Sequence, residues 1–238
     1  MNGSVSNNTI SPKQVDKLLA DFQNVVTKTK NVVDQESMSF FNTLGKAWAG
    51  EDAVNSAKGI ADRINNYIID NLSAGWNMFS FGIIELANFY ARKAGKPIMA
   101  PRNIIFSRNI NANAVKSEWE DGSYGFKQPG DIASLIVAFD SLNTTINTTA
   151  TELSDSINRI NAFGNLEVRR KLNEVAVSLS ESMLSLVKDL RSEAFGIVTD
   201  AAHKYNISSE QIASCLPSGF SSYGLQTYFD AIDGLIVQ

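Results

Sequence analysis

Apolar residues recur at helical spacing in two long stretches that meet at Trp48-Ala49-Gly50. From Val15 to Trp48 they fall three, four or seven positions apart, and eight once, and a similar spacing continues from Ala53 to Phe89. Residues at these intervals lie on one face of an α-helix. The two stretches therefore predict two long amphipathic helices that double back at the W-x-G tripeptide.

Local signals mark where these helices begin and end. Ser11 is an N-cap candidate, and Pro12 follows it at the first helical position. Glu51 and Asp52 place carboxylates at the start of the second helix. Gly95 supplies a C-cap after the second helix. We predict a helical hairpin over residues 11–96, preceded by a polar, flexible leader at residues 1–10.

A similar pattern returns in the second half of the chain. Apolar stripes run over residues 132–160 and 166–201, with an aromatic residue and a glycine, Phe163-Gly164, between them. We predict a second hairpin over residues 131–205, either as a degenerate repeat of the first or as a chance likeness between two hairpins. We expect four turn residues to determine the fold: Trp48, Gly50, Phe163 and Gly164.

The remaining residues, 206–238, predict short C-terminal helices. Ser208-Ser209-Glu210 caps one helix that ends near Leu216, and Tyr223 to Val237 forms a last apolar segment. The predicted fold class is therefore all-α. We expect an elongated four-helix bundle made of two tandem helical hairpins, with an irregular, β-prone arm and a short helical tail.

Residues 97–130 interrupt the helical pattern. Prolines, glycine turns and the β-prone run Ile104-Ile105-Phe106 predict an irregular arm or a short β-hairpin. A connection of this length is uncommon inside a compact domain and is often functional. One interpretation is a contact arm for a neighbouring protein, and the other is a linker that wraps over its own helices. The candidate contact residues are Ile104, Phe106, Trp119, Tyr124 and Phe126.

On these features, residues 11–95 resemble the WXG100 (ESAT-6-like) family, the small helical-hairpin proteins associated with type VII secretion. The likeness rests on the hairpin length, Trp48-Ala49-Gly50 at the turn, and the acidic start of the second helix. Family members are non-enzymatic, form homo- or heterodimeric four-helix bundles, and are exported or act as adaptors. The resemblance implies a protein-binding role, in self-association or with a heterologous helical partner, and no cofactor.

Two departures from the family pattern leave other functional settings open. The chain has 238 residues, more than twice the usual length. No tyrosine is followed four positions later by an acidic residue, which is the export signal of many members. The hairpin equally suits a structural component of a bacteriophage virion. Localisation stays open between non-classical secretion, a virion and the cytoplasm, because residues 1–10 lack the apolar core of a signal peptide.

Composition narrows the classes of partner. Hydrophobic residues make up 44% and charged residues 19%, with a net charge of −4, so a nucleic-acid partner is not expected. The nearly apolar segment 76–91 is shorter than the ~20 residues of a membrane-spanning helix. It also contains Glu85, so we interpret it as a buried helix and do not expect a membrane partner. The rival interpretation is a helical pore-forming toxin that inserts this segment.

The sequence offers little chemistry for an enzyme. It has one histidine, His203, and one cysteine, Cys215, with Asp200 as a group that could orient the imidazole. The alternative roles are a helix-end cation for His203 and a small buried side chain for Cys215. No spacing supplies a zinc or calcium site, and no phosphate-binding glycine motif is present. We predict a non-enzymatic protein without a metal or a cofactor.

Overall fold

A computed structural model gives the fold of the chain, and the all-α fold class is confirmed. The structure describes residues 9–221 and 224–236, so residues 1–8 of the predicted leader, and Tyr223 and Val237 of the predicted tail, lie outside the described residues. The helices are α1 (Pro12–Ala47), α2 (Glu51–Ile64), α3 (Asn71–Lys93), α4 (Pro129–Asn158), α5 (Leu166–Lys204), α6 (Ser209–Cys215) and α7 (Leu225–Ile236).

The helix ends form where the local sequence predicts them. At the start of α1, the Ser11 N–H donates to the Gln14 side chain at 2.8 Å, and the Gln14 N–H donates to the Ser11 hydroxyl at 3.3 Å. This reciprocal pair is a capping box, and Ser208 with Gln211 forms another at the start of α6. After α3 the chain turns through Gly95, whose φ of 63° lies in the left-handed region that a helix C-cap favours.

One helical feature has no signal in the apolar spacing. α2 continues into a π-helical turn over Asn65–Asp70, and α3 follows directly. The neighbouring residues Ile68 and Ile69 are both buried in this turn. Since a π turn is wider than an α turn, it rotates the positions after it relative to those before it. The apolar face therefore moves around the helix axis at this point.

The chain forms two compact units, each assembled from three separate segments. Unit 1 takes its described residues from Met1–Val32, Asn65–Arg108 and Asn147–Leu184. Unit 2 takes its described residues from Val33–Ile64, Asn109–Ile146 and Ser185–Gln238. Both predicted hairpins contribute to both units, because α1, α4 and α5 each supply residues to each of them.

In unit 1, α1 packs against α3 through aromatic side chains. The rings of Phe22 and Phe79 meet edge to face with centroids 4.8 Å apart, and the Trp76 indole N–H donates to the Leu19 carbonyl at 3.4 Å. Phe22 and Phe79 lie 28 and 29 residues on either side of residue 50, and Leu19 and Trp76 lie 31 and 26 residues on either side of it. This is the pairing that the two antiparallel legs of a hairpin require.

In unit 2, α1 packs against α4, and α2 is linked to α5. Phe40 and Phe139 meet edge to face with ring centroids 4.9 Å apart. The Arg63 guanidinium of α2 forms an ion pair with Glu193 of α5 at 2.5 Å, and both side chains are partly buried. Unit 2 thus joins its helices by an apolar contact in one place and by a polar contact in another.

The predicted β-hairpin within the arm is not confirmed. Over residues 9–221 and 224–236 no strand forms, and the one β-bridge is an isolated antiparallel pair between Ala49 and Gly125. Ile104 and Phe106 bind side chains of α3 and do not pair with a strand. The main chain of the β-prone run therefore finds its hydrogen-bond partners among the side chains of a helix. This pairing is a tertiary effect that β-propensity alone does not specify.

Replacing Phe79 by alanine should lower the free energy of unfolding by about 3–5 kcal/mol, because a fully buried ring leaves a cavity. The Phe79 side chain is 1% exposed, whereas Phe81, two positions along α3, is 65% exposed. Phe81→Ala is the matched control and should change stability by less than ~0.5 kcal/mol. Urea unfolding followed by circular dichroism measures both variants. Equal losses would contradict the division of α3 into a buried and an exposed face.

Candidate functional site

The first part of the arm, residues 97–108, lies along α3 and is called the strap. Four polar side chains of α3 hydrogen-bond its main chain, and they are called the polar row: Ser73, Asn77, Ser80 and Asn88. The Asn88 amide accepts from the Met99 N–H at 2.7 Å and donates to the Met99 carbonyl at 3.0 Å. Asn77 binds Ile104 in the same way, at 2.8 and 2.9 Å.

The two serines of the polar row complete the contact. Ser80 donates to the Arg102 carbonyl at 3.1 Å, and Ser73 accepts from the Phe106 N–H at 2.9 Å. Ser80 is fully buried, and Ser73 is buried as well. A buried polar group without a partner costs about 1–3 kcal/mol. The strap and the polar row therefore satisfy each other's hydrogen bonds.

The spacing of the polar row matches the spacing of an extended chain. Asn77 and Asn88 are eleven residues apart on α3, which is about 16.5 Å at the rise of an α-helix. Their partners, Ile104 and Met99, are five residues apart, which is also about 16.5 Å along an extended chain. The strap therefore runs antiparallel to α3 in register with both amides. Because the polar row binds main-chain atoms, these hydrogen bonds depend on the backbone of the strap and not on its side chains.

Two arginines fasten the side of the strap. The Arg102 guanidinium lies 2.5 Å from Asp16 of α1. Arg108 donates to the Asn66 side chain at 2.6 Å and lies 3.8 Å from Asp70. These side chains are about half exposed, so each ion pair contributes ~0.2–1 kcal/mol and falls with added salt. The charges orient the strap, and the polar row holds it.

The second part of the arm, residues 109–128, binds the W-x-G turn. The Ala49 N–H donates to the Gly125 carbonyl at 3.2 Å, and the Ala49 carbonyl accepts from the Gly125 N–H at 2.7 Å. The Gly50 N–H donates to the Lys116 carbonyl at 3.0 Å. Gly50 has a φ of 130°, which a residue with a side chain rarely adopts. The turn is thus built from its own glycine and from the arm.

An aromatic contact accompanies this backbone pairing. The Trp48 indole stacks on Phe126 with ring planes 11° apart and centroids 5.3 Å apart, and Phe126 meets Tyr205 edge to face at 6.1 Å. Phe126 is buried, whereas Trp48 is half-buried. The three rings border an open cleft of about 480 Å³, which Asp52 and Asp200 also line. Sequence reasoning singled out Trp48 and Phe126 separately, and the structure joins them.

Two glycines allow the arm to come this close to the helices. A Cβ at Gly125 would overlap the Tyr205 hydroxyl, and its φ of 94° is left-handed as well. A Cβ at Gly45 of α1 would overlap the Ala114 carbonyl of the arm. Neither approach leaves room for a side chain. Both glycines are therefore required by packing against the arm.

The loop around Trp119 forms its own cluster of charges. The Lys127 ammonium lies over the Trp119 ring, 4.3 Å from its centroid, and 3.5 Å from the Asp121 carboxylate. The Ser123 hydroxyl and then the Ser123 backbone N–H, donating at 2.5 and 3.0 Å, lower the pKa of Asp121. The carboxylate is exposed, so this cluster shapes the loop and does not form a buried centre.

The candidate residues are thus distributed over three places. Trp48, Gly50 and Phe126 come together at the turn, while Tyr124, beside them, is 72% exposed. Trp119 lies in the loop just described. The remaining two contact candidates belong to the strap: Ile104 and Phe106.

The second predicted turn, between α4 and α5, has a left-handed backbone. Phe163 and Gly164 have φ values of 52° and 73°. The Asn161 side chain accepts from the Phe163 N–H at 2.8 Å, and the Asn165 side chain accepts from the Val168 N–H at 3.1 Å. The asparagines on either side therefore stabilise the turn that the sequence predicts at Phe163-Gly164.

Beside the polar row, α3 carries exposed apolar side chains, called the apolar stripe: Met78, Phe81 and Phe89. They are 55%, 65% and 48% exposed. On a helix that turns about 100° per residue they lie within about 80° of one another, next to the polar row. In the strap, Ile98 and Ile105 are 57% and 87% exposed. Their exposure makes the apolar stripe a candidate interaction surface.

The predicted buried segment, residues 76–91, belongs to α3. Trp76 and Ile84 are buried, 4% and 2% exposed, whereas Phe81 and Phe89 face outward. Across residues 9–221 and 224–236, no helix combines the length and the apolar character needed to cross a bilayer.

The residues considered for catalysis, His203 and Cys215, belong to unit 2. In the described part of the chain, no three His, Cys, Asp or Glu side chains lie close enough to hold a metal ion. His203 is exposed in the last turn of α5. Cys215 is exposed at the end of α6, 3.9 Å from the Ser214 hydroxyl. Cys215 is therefore not the buried side chain that one interpretation expected.

Comparisons with protein-family models, with characterised proteins and with solved structures give no match for this chain. The resemblance of residues 11–95 to the WXG100 family therefore rests on the residues quoted for it.

Sequence reasoning missed the polar row and the close-packed glycines. The polar row does leave a signal, because Ser73, Asn77, Ser80 and Asn88 fall three, four or eight positions apart in an otherwise apolar helix. Polar side chains that recur on one buried face need partners, and a non-helical segment can supply them. Gly45 leaves no such signal, since its close contact depends on where the arm lies in the fold.

Asn77→Ala and Asn88→Ala should each loosen the strap, because each removes two main-chain hydrogen bonds. At ~1 kcal/mol net per bond, amide exchange should speed up about tenfold or more, at Ile104 in the first variant and at Met99 in the second. Hydrogen exchange followed by NMR measures this. Asn71→Ala is the control, since Asn71 binds groups outside the strap. Unchanged exchange in the two test variants would exclude the polar row as the anchor.

Trp48→Ala should destabilise the chain by about 2–3 kcal/mol, below the ~3–5 kcal/mol expected for a fully buried indole. The reason is that the ring stacks on Phe126 but is only half-buried and also lines the cleft. Trp48→Phe keeps a stacked ring and should retain most of the stability. Chemical denaturation measures both. A loss below ~1 kcal/mol in the alanine variant would mean that the indole does not hold the arm.

Proposed function

We propose that this chain is a non-enzymatic structural or interaction protein that binds copies of itself or partner proteins through its helical faces and the arm. The observation that carries the proposal is the exposed apolar surface of α3 and the strap, made of the apolar stripe with Ile98 and Ile105. Covering such surface is favourable by about 25 cal/mol per Å² of apolar area. The polar row fixes the strap beside the stripe, so the surface exists before a partner arrives.

The hairpin supports the same class of function. Trp48-Ala49-Gly50 lies between α1 and α2, and Glu51-Asp52 opens α2. These are the features on which residues 11–95 resemble the WXG100 family, whose members bind protein partners through helical faces. On that resemblance the chain is a secreted or adaptor protein, with two tandem hairpins arranged as four helices.

The alternative setting is a structural component of a bacteriophage virion. What favours it is the strap, an extended segment held on the surface by its own main chain. Segments of this kind join neighbouring copies in assemblies through backbone pairing. Both settings require association through the same surface, so one experiment addresses both.

Changing Phe81 and Phe89 together to serine should weaken self-association at least tenfold, because two exposed rings no longer lose water at the interface. Light scattering over a concentration series on the full chain measures the mass in solution. Leu166→Ser is the matched control, since Leu166 of α5 is 69% exposed but lies outside the stripe. A wild-type monomer at every concentration, or an equal effect of the control, would contradict self-association through this surface.

A further inference from the structure

The outer edge of the strap carries main-chain groups that find no hydrogen-bond partner in the described part of the chain. Between Arg102 and Phe106, every second residue turns its main chain toward the polar row. Asn103, Ile105 and Ser107 alternate with them and are exposed, and among the described residues no group hydrogen-bonds their N–H or C=O. This is the pattern of a β-strand that is paired along one edge only.

Such an edge is a template for another extended chain. Pairing normally requires a segment to give up its conformational freedom, which opposes association. In the strap the polar row has already fixed the extended backbone, and Pro97 and Pro101 restrict it further. Ile105, at the middle of the free edge, is 87% exposed. The edge is therefore ordered, accessible and apolar at its centre.

We propose that the strap of a second copy of this chain pairs with this edge, antiparallel and centred on Ile105. The inference rests on the proposed function and names its partner. In this register Ile105 faces Ile105 of the second copy, and Asn103 faces Ser107 of the second copy. The copies exchange about six main-chain hydrogen bonds across a two-fold axis, so that one patch serves both of them.

The side chains are complementary in this register. Ile105 pairs with its own copy, and Ile104 of one strap lies opposite Phe106 of the other, so apolar residues meet apolar residues on both faces. Asn103 and Ser107 form a polar pair at the ends. Cross-strand pairs of these kinds stabilise antiparallel strands. A shift of one residue would turn the free main-chain groups away from each other, and a shift of two would place Ile105 opposite Asn103 or Ser107 in place of another isoleucine.

The same register places Arg102 of one copy opposite Arg108 of the other. Like charges directly opposite each other destabilise a strand pair. Each guanidinium is already engaged within its own copy, Arg102 by Asp16 at 2.5 Å and Arg108 by Asn66 at 2.6 Å, with Asp70 beside it. These partners offset the repulsion, so the ion pairs that orient the strap also permit the pairing.

Cysteine cross-linking tests the register directly. The Cα atoms of a hydrogen-bonded antiparallel pair lie about 5.5 Å apart, within the reach of a disulfide. In a Cys215→Ser background, Ile105→Cys should give a disulfide-linked dimer under a mild oxidant. Ile98→Cys is the matched control, because Ile98 is exposed in the same strap but would lie about 46 Å from its counterpart. We expect cross-linking at residue 105 at least tenfold faster than at residue 98.

Two further variants separate the backbone from the side chain. Ile105→Pro removes the central N–H donor and leaves the contacts of Ile104 with the polar row intact, so it should weaken dimerisation at least tenfold. Ile105→Lys keeps the donor and removes the apolar side chain. Light scattering gives the mass of each variant, and the amide exchange of Ile104 shows that the strap stays docked.

The outcomes distinguish this inference from the proposed function. Fast cross-linking at residue 105, together with loss of the dimer in Ile105→Pro, supports strand pairing. Association that depends on Phe81 and Phe89, but neither cross-links at 105 nor responds to proline, overturns the pairing and leaves the proposed function standing. A monomer under all conditions, with equal cross-linking rates at residues 98 and 105, overturns the pairing and also the self-association part of the proposed function, and leaves only its heterologous partners.

Discussion

The side of the arm's main chain that faces the helices has to find hydrogen-bond partners outside any helix or sheet, and much of the structure is arranged around that need. A buried N–H or C=O without a partner costs about 1–3 kcal/mol, a large share of the about 5–15 kcal/mol by which a folded domain is stable. In unit 1 the partners are the polar row of α3, and in unit 2 they are Ala49 and Gly50 of the turn. The polar row therefore interrupts the apolar face of α3 at the positions that bind the strap.

Pairing with side chains leaves the strap in the position of an edge strand, with one edge paired and the other free. A central strand in a sheet uses both of its edges, whereas the strap uses the edge that meets α3 and presents the other outward. The same contact keeps the strap in place, because Ser80 and Asn88 are buried and would lose their partners if it left. The first part of the arm is therefore a fixed surface element with one free edge, and it does not behave as a tether.

The parts of the fold that follow from local sequence were predictable, and those that depend on distant residues were not. The long helices and their caps at Ser11 and Ser208 agree with the apolar spacing and capping signals. The π-helical turn at Asn65–Asp70 and the polar row were not predicted. The β-propensity of Ile104 indicated an extended chain but could not name its partner, Asn77, because that partner is set by tertiary packing. For the same reason, Trp48 and Phe126 were each predicted as candidate residues, but the contact between them was not predicted.

Two physical reasons favour the α3 surface over the cleft beside Trp48 for the proposed partner contact. At the cleft, Phe126 is buried against Trp48 and Tyr205, so these rings are already used in holding the arm. A free arm would lose about 1–2 kcal/mol per residue on ordering, more than a few strand hydrogen bonds at about 1 kcal/mol each can offset. Because the strap is already ordered in the folded chain, association does not have to supply this entropy cost. A short edge with one exposed isoleucine, beside two exposed phenylalanines, can therefore support specific though modest binding.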